Sequence, residues 1–200
     1  MVVESTKPDR SPHWLGSNLF LGLLVTVLSV STAVANYSTY KAGANASGIE
    51  GDGDRLLANS NTEYISASQY IIVDYTMYDN YYVNLDVDEF AADYYQSQFS
   101  DELQASLNRD APFDDQYYTE MYATAGKLFD DAFTKIDESN ALKQQESGFQ
   151  FVMLISAVGL SFAAYASLLE EENRLRKFFA IMSLIALALS IWQFIIVTIG

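Results

Sequence analysis

The sequence contains no cysteine and only one histidine, His13. The absence of cysteine excludes disulfide bonds, thiolate catalysis and cysteine-ligated metal sites, and it leaves the redox compartment undetermined. One histidine gives little material for a Ser–His pair or a metal–histidine site, and the chain also lacks a glycine-rich phosphate loop and an H-E-x-x-H motif. We therefore expect a protein that is not an enzyme and holds no cofactor.

Basic residues are scarce in the middle of the chain. Residues 37–148 contain 21 acidic and six basic residues, so this segment alone has a charge of −15, equal to the net charge of the whole chain. A field of this sign repels nucleic acid and anionic lipid headgroups, so neither is expected as a partner of this segment. Cations and basic proteins are compatible with it.

Ionisable residues are absent from two long apolar runs, residues 149–169 and 178–200, which flank a charged turn at residues 170–177. Each run is about as long as the roughly 20 residues that a helix needs to cross the hydrocarbon core of a bilayer. The two runs predict a membrane hairpin, around which the rest of the chain is organised. Ion pathways and proton relays place ionisable groups inside the membrane, so a self-contained transporter is not expected.

A third apolar run, residues 14–36, predicts a first membrane span with Trp14 at an interface. The alternative is a signal peptide, because Ala33-Val34-Ala35 fits a cleavage site. The apolar run is longer than the usual core of a signal peptide, and the preceding residues 1–13 are not clearly basic. An uncleaved anchor is therefore the preferred interpretation.

The basic residues outside the middle segment predict the orientation of the chain. They lie before the first span and in the hairpin turn: Lys7, Arg10, Arg174, Arg176 and Lys177. Positive charge favours the cytoplasmic side, and two crossings separate these sites. We therefore expect a multi-pass protein of the cell membrane, with residues 1–13 and 170–177 cytoplasmic and residues 37–148 extracytoplasmic.

Helical patterns follow the first span. Residues 36–54 are rich in glycine, alanine, asparagine and serine, which predicts a linker or a frayed helix end. Apolar residues at helical spacing then predict helices at about residues 54–82 and 87–108. A third helix is predicted to begin near Phe113 and to run on toward the second span, with a kink at Ser147-Gly148.

The second of these helices has the clearest apolar stripe, formed by Phe90, Tyr94, Phe99, Leu103 and Leu107. The run at residues 70–73 is also compatible with a strand, but its helical neighbours favour a helix. Amphipathic helices bury their stripes against one another or against a partner. The predicted fold is therefore an all-α membrane protein with three transmembrane helices and an extramembrane antiparallel helical bundle.

Tyrosine is concentrated between residues 37 and 122, which contain 13 of the 14 tyrosines. Tyrosine offers a large contact area with a polar end and is enriched at interfaces. The alternative is that tyrosine replaces leucine in a thin, partly wet bundle. Tyr75, Tyr78 and Tyr82 share one helical face and are the predicted interaction residues.

Clusters of acidic residues are weak candidates for calcium binding, because calcium prefers carboxylate oxygens. The candidates are Asp52, Asp54, Asp86, Asp88 and Glu89. None of the clusters completes an EF-hand loop, so no metal site is predicted. Acidic residues at helix starts, a solvated surface and a saline habitat are alternative explanations.

Small residues four positions apart in the second span predict close helix contact. They form two sets, Ala157 with Ser161, and Gly159 with Ala163 and Ser167. The expected neighbour is the third span or another subunit.

The stretch Pro112–Tyr122 (PFDDQYYTEMY) lies in a chain with one span, a helical outer segment and a two-span hairpin. This layout resembles that of uncharacterised small bacterial three-span membrane proteins. The resemblance covers the arrangement of the whole chain and implies no site residues.

These observations favour an accessory, assembly or interaction subunit of a membrane complex. Its expected partners are the lipid bilayer and either a membrane protein or a second copy of the chain. A sensor or ligand-binding module that signals through a partner is the alternative, and a homo-oligomeric cation pore is a third.

Overall fold

The structure, a computed structural model, describes residues 17–109, 111–171 and 173–199. Within these ranges it contains six α-helices and no strand: α1 (Asn18–Asn84), α2 (Glu89–Gln96), α3 (Asp101–Leu107), α4 (Asp115–Met121), α5 (Ala123–Ser167) and α6 (Arg174–Ile199). The prediction of an all-helical fold is confirmed, and residues 70–73 are helical. The predicted tail at residues 1–13, with His13, and the predicted interfacial Trp14 lie outside the described residues.

Three helices, α1, α5 and α6, are long and apolar enough to cross a membrane. They have 67, 45 and 26 residues respectively. The predicted spans correspond to the beginning of α1, the end of α5 and most of α6. Because α1 and α5 extend far beyond their apolar runs, the secondary structure marks no boundary at residue 36 or residue 148.

The prediction of a linker or frayed helix end at residues 36–54 is wrong, because these residues lie inside α1. A glycine in a helix interior costs about 1 kcal/mol relative to alanine, which is why the composition disfavours a helix here. Gly53 shows what offsets this cost. A Cβ at Gly53 would lie 3.2 Å from the Ala132 carbonyl oxygen and 3.1 Å from the Ile136 side chain, so glycine lets α1 approach α5 closely. Tertiary packing therefore overrides propensity.

The predicted helix at residues 87–108 is interrupted between α2 and α3. Ser100 explains the break. Its side chain accepts a hydrogen bond from the Leu103 N–H at 3.1 Å, which makes it the N-cap of α3. Its own N–H donates to the Asp74 carboxyl at 3.0 Å instead of to the preceding turn of helix. A contact with α1 therefore ends the helix.

The predicted third helix is also divided. α4 ends at Met121 and α5 begins at Ala123, after Tyr122, which serves as the C-cap of α4. α5 then remains helical through Ser147 and Gly148, where a kink was expected.

The chain divides into two compact units. The described residues of Met1–Ala46 and Asn140–Gly200 form the apolar unit, and Ser47–Ser139 form the acidic unit. The acidic unit contains 20 acidic and four basic residues in its sequence.

In the apolar unit, α1, α5 and α6 pack through aliphatic, small and hydroxyl side chains. The buried apolar members are Leu21, Leu24, Leu28, Ala163, Ala166 and Ala180. One serine from each helix joins a hydroxyl triad, in which Ser156 Oγ lies 2.6 Å from Ser190 Oγ and 3.2 Å from Ser31 Oγ. Buried hydroxyl groups require such partners, so the triad favours one arrangement of the three helices.

Candidate interaction surface

The acidic unit is built around the carboxyl group of Asp74, which is 2% exposed. This group of α1 accepts hydrogen bonds from the Ser100 N–H, from the Ser100 hydroxyl and, at 2.8 Å, from the Tyr117 hydroxyl. Burial, together with the hydrogen bond to Asp74, raises the pKa of Tyr117 well above its usual value. The Tyr117 hydroxyl therefore keeps its proton and remains a donor. One carboxyl group thus joins α1 to the N-cap of α3 and to α4.

A second polar contact fixes the start of α4. Asp114 is the N-cap and accepts a hydrogen bond from the Tyr117 N–H at 2.7 Å. The Arg109 guanidinium donates two further hydrogen bonds to the same carboxylate, at 2.6 and 2.9 Å. The hydrogen bond from Arg109 lowers the pKa of Asp114. The carboxylate therefore stays charged in the position where it caps the helix.

Aromatic side chains cover this polar centre. Phe113 has a left-handed backbone with φ of 60°, which is uncommon for a bulky residue, and its ring stacks on Tyr75 with centroids 4.1 Å apart. The Tyr78 ring lies edge-on to Phe113 at 5.4 Å and tilted against Phe99 at 6.1 Å. Aromatic packing and hydrogen bonds to Asp74 therefore stabilise the same part of the acidic unit.

The three predicted interaction tyrosines have different environments. Tyr82 is 69% exposed, whereas Tyr75 is 41% exposed and stacked on Phe113, and Tyr78 packs against the buried cluster. The Tyr75 hydroxyl also hydrogen bonds to the Tyr118 hydroxyl. Tyr75 and Tyr78 thus contribute to the packing of the acidic unit, and Tyr82 is the most accessible of the three.

The most exposed apolar side chains of the acidic unit lie around the turn between α1 and α2. We call them the α1–α2 surface: Tyr82, Val83, Leu85, Val87, Phe90 and Tyr94, all classed among the exposed large apolar residues. Val87 is 83% exposed and Phe90 is 87% exposed. A group of exposed apolar side chains this close in sequence is typical of an interaction site, whereas single exposed apolar residues are normal.

Phe90 and Tyr94 were expected to lie on a buried stripe together with Phe99 and Leu103. Phe99 and Leu103 are buried, but Phe90 and Tyr94 are exposed, so this part of the prediction is wrong. The stripe assumed one continuous helix, and the break before Ser100 separates its two halves. A signal for the break was present in the sequence, because Ser100 is followed by Asp101 and Glu102, a common pattern at a helix start.

A groove lies beside these residues, between the end of α1 and α2. It has a volume of about 430 Å³ and is lined by Tyr81, Leu85, Asp86, Val87, Glu89, Ala92, Asp93 and Gln96. Three of these residues are acidic, and residues 56–108 contain no lysine, arginine or histidine. The groove therefore combines apolar walls with carboxylates that have no basic residue near them in the sequence.

The calcium candidates are placed separately. Asp52 pairs with Arg55, and Asp88 is the N-cap of α2, where it accepts a hydrogen bond from the Ala91 N–H at 3.1 Å. Asp54 is exposed on α1, while Asp86 and Glu89 line the groove. Within residues 17–109, 111–171 and 173–199, no group of three or more histidine, cysteine or acidic residues is arranged to hold a metal ion.

The small residues of the second predicted span fall on different faces of α5. Gly159 and Ala163 are buried, and a Cβ at Gly159 would lie 2.9 Å from the Ala186 Cβ and 3.1 Å from the Leu28 side chain. The remaining three are exposed: Ala157, Ser161 and Ser167. The contact at Gly159 is therefore with α1 and α6 of the same chain.

Comparison of the chain with protein-family models, with curated proteins and with solved structures finds no match. The resemblance of layout to small bacterial three-span proteins therefore stays a prediction, and the functional argument depends on this chain alone.

Proposed function

We propose that this chain is an integral membrane protein that binds another protein of a membrane complex through the α1–α2 surface. In this proposal, α1, α5 and α6 cross the cell membrane, and residues 37–148 form an extracytoplasmic helical bundle. The observation that carries the proposal is the exposure of Val87, Phe90 and their apolar neighbours on a unit that is otherwise strongly acidic.

Membrane insertion is supported by the apolar side chains that α6 leaves exposed. They include Ile181, Leu184, Ile185, Leu189, Ile191, Trp192, Ile195 and Ile196. A helix that is apolar on its packed side and on its exposed side is typical of a lipid environment. The basic residues before α1 and in the turn before α6 favour a cytoplasmic location for both sites.

A partner of another kind fits this surface better than a second copy of the chain. In a two-fold symmetric dimer the same patch is used by both subunits, so the acidic groove would face another acidic groove. Like charges placed opposite each other disfavour association. We therefore assign the role of an accessory or assembly subunit.

Co-purification tests the proposed function. The full chain and a Val87→Ser/Phe90→Ser variant are purified from native membranes in mild detergent, and the particle mass and bound proteins are determined. Burying one phenylalanine contributes about 1.5–3 kcal/mol, so we expect at least a tenfold loss of bound partner. Because both side chains are exposed, the variant should fold normally.

A matched control is Ile65→Ser/Ile72→Ser, which removes two exposed apolar side chains, 58% and 64% exposed, from α1 of the same unit. This control should keep the partner. Equal loss from both variants, or a wild-type particle that contains only copies of this chain, would refute the proposal.

Topology has a separate test, because the chain has no native cysteine. Single cysteines are introduced as Ser97→Cys in the acidic unit and Glu171→Cys in the turn before α6. We expect an impermeant maleimide to label them from opposite sides of the membrane. Labelling of both from one side would contradict the three-span arrangement.

A further inference from the structure

We infer that the partner segment that binds the α1–α2 surface is basic and apolar, with lysine or arginine side chains next to aliphatic or aromatic ones. This inference depends on the proposed function and defines the chemistry of the partner. Its starting point is the apolar surface itself, since Val87 and Phe90 are more than four-fifths exposed. Burial of such side chains provides the driving force for association.

The charge of the groove determines which apolar segment fits. Asp86, Glu89 and Asp93 line it. No basic residue occurs in the sequence between Arg55 and Arg109, whereas this stretch contains nine acidic residues. An acidic or neutral segment would remove water from these carboxylates without replacing its interactions, whereas a basic segment supplies opposite charge.

The pattern of α2 places the two kinds of contact next to each other. Phe90 and Tyr94 are four residues apart and therefore share one face of the helix, while Glu89 and Asp93 share the adjacent face that lines the groove. A segment that lies along α2 meets aromatic side chains on one face and carboxylates on the other. The complementary segment therefore has apolar and basic residues on adjacent faces.

The size of the surface indicates a short segment. Standard protein interfaces use about 20–30 residues on each side, and the α1–α2 surface with its groove has roughly half that number. We therefore expect a single helix or extended peptide of the partner, with a Kd on the order of micromolar.

Labelled peptides test this inference with the full chain in an uncharged detergent, by fluorescence anisotropy. The main probe is a twelve-residue peptide of about equal lysine and leucine content. One comparison peptide has glutamate in place of lysine, and another has serine in place of leucine. We expect the lysine–leucine peptide to bind at least tenfold more tightly than either comparison peptide.

Isosteric variants locate the binding site. Asp86→Asn/Glu89→Gln/Asp93→Asn should weaken binding of the lysine–leucine peptide about tenfold, because three close charge pairs are lost. The control Asp130→Asn/Asp131→Asn/Asp137→Asn changes the net charge equally on exposed positions of α5. At physiological salt the screening length is about 8 Å, so the control should change binding by less than about twofold.

Failure of the inference is distinguishable from failure of the proposed function. Equal binding of the glutamate–leucine peptide, equal effects of the two triple variants, or no binding of any peptide would overturn the basic chemistry. Co-purification of a partner that is lost from Val87→Ser/Phe90→Ser would still support the proposed function. Loss of the same partner from the groove triple variant, but not from its control, supports both.

Discussion

Replacing Asp74 with alanine should loosen the acidic unit, and the size of the effect follows from the groups that it leaves behind. The Ser100 N–H and the Tyr117 hydroxyl both donate to this carboxyl group, and Tyr117 is fully buried. Neither donor has another acceptor among the hydrogen bonds described above. A buried donor without an acceptor costs about 1–3 kcal/mol, so two of them give about 2–6 kcal/mol.

Hydrogen exchange measures this loss in the full chain without requiring complete unfolding. If opening of the unit governs exchange, 2–6 kcal/mol corresponds to roughly 30-fold to 10⁴-fold faster exchange. The increase should appear in α3 and α4, because Asp74 joins both to α1. Exchange in α6, which belongs to the apolar unit, should be unchanged.

Asp79→Ala is the matched control, because Asp79 is an exposed acidic residue of the same helix. Its effect on stability should stay within about 0.5 kcal/mol. The reasoning is refuted if α3 and α4 exchange at the same rate in Asp74→Ala and Asp79→Ala. Such a result would mean that aromatic packing alone holds these helices in place.

Two further predictions concern helix contact and pH. Gly159→Ala should lower the thermal stability in detergent by about 1–3 kcal/mol, because its Cβ would lie 2.9 Å from the Ala186 Cβ. Gly22→Ala, with no atom within 4 Å of the added Cβ, should be neutral or stabilising by up to about 1 kcal/mol, and similar melting temperatures would contradict the contact. The hydrogen bond with Tyr75, together with burial, raises the pKa of Tyr118 to about 12, so Tyr75→Phe should return it toward about 10 in an ultraviolet titration of wild type and variant. Because this folded-state pKa is raised, the contribution of the pair to stability is present below about pH 10 and is lost as the pH approaches 12; an unchanged titration curve would exclude the Tyr75 contact as its cause.

The sequence allowed the helical content and the long apolar helices to be predicted, because both depend on local composition and spacing. Runs without charge and apolar residues at helical steps identify such helices with no knowledge of tertiary contacts. Helix continuity was harder to predict. The stretch at residues 36–54 has a composition that favours a linker, yet it is helical, because Gly53 allows close contact with α5. That contact joins residues about 80 positions apart and leaves no local signal.

The candidate surface was missed for a related reason. A periodic stripe predicts burial only while the helix is continuous, and Phe90 and Tyr94 belong to a helix that ends before Phe99. The end is set by a hydrogen bond between Ser100 and Asp74, which are 26 residues apart. The concentration of tyrosine correctly indicated an aromatic cluster, but it did not distinguish the packed Tyr78 from the exposed Tyr82.

The buried carboxyl group and the exposed surface are therefore connected through one residue. Asp74 binds the backbone N–H of Ser100, so this N–H is not used to continue the helix that contains Phe90. Without this contact, residues 87–108 have the apolar spacing of a single helix, in which Phe90 would share a stripe with Phe99 and Leu103. A stripe of that kind would be buried against α1 and would remove the apolar side chains from the surface. The same buried interaction that stabilises the acidic unit thus keeps Phe90 exposed, at a position where only binding to a partner would bury it.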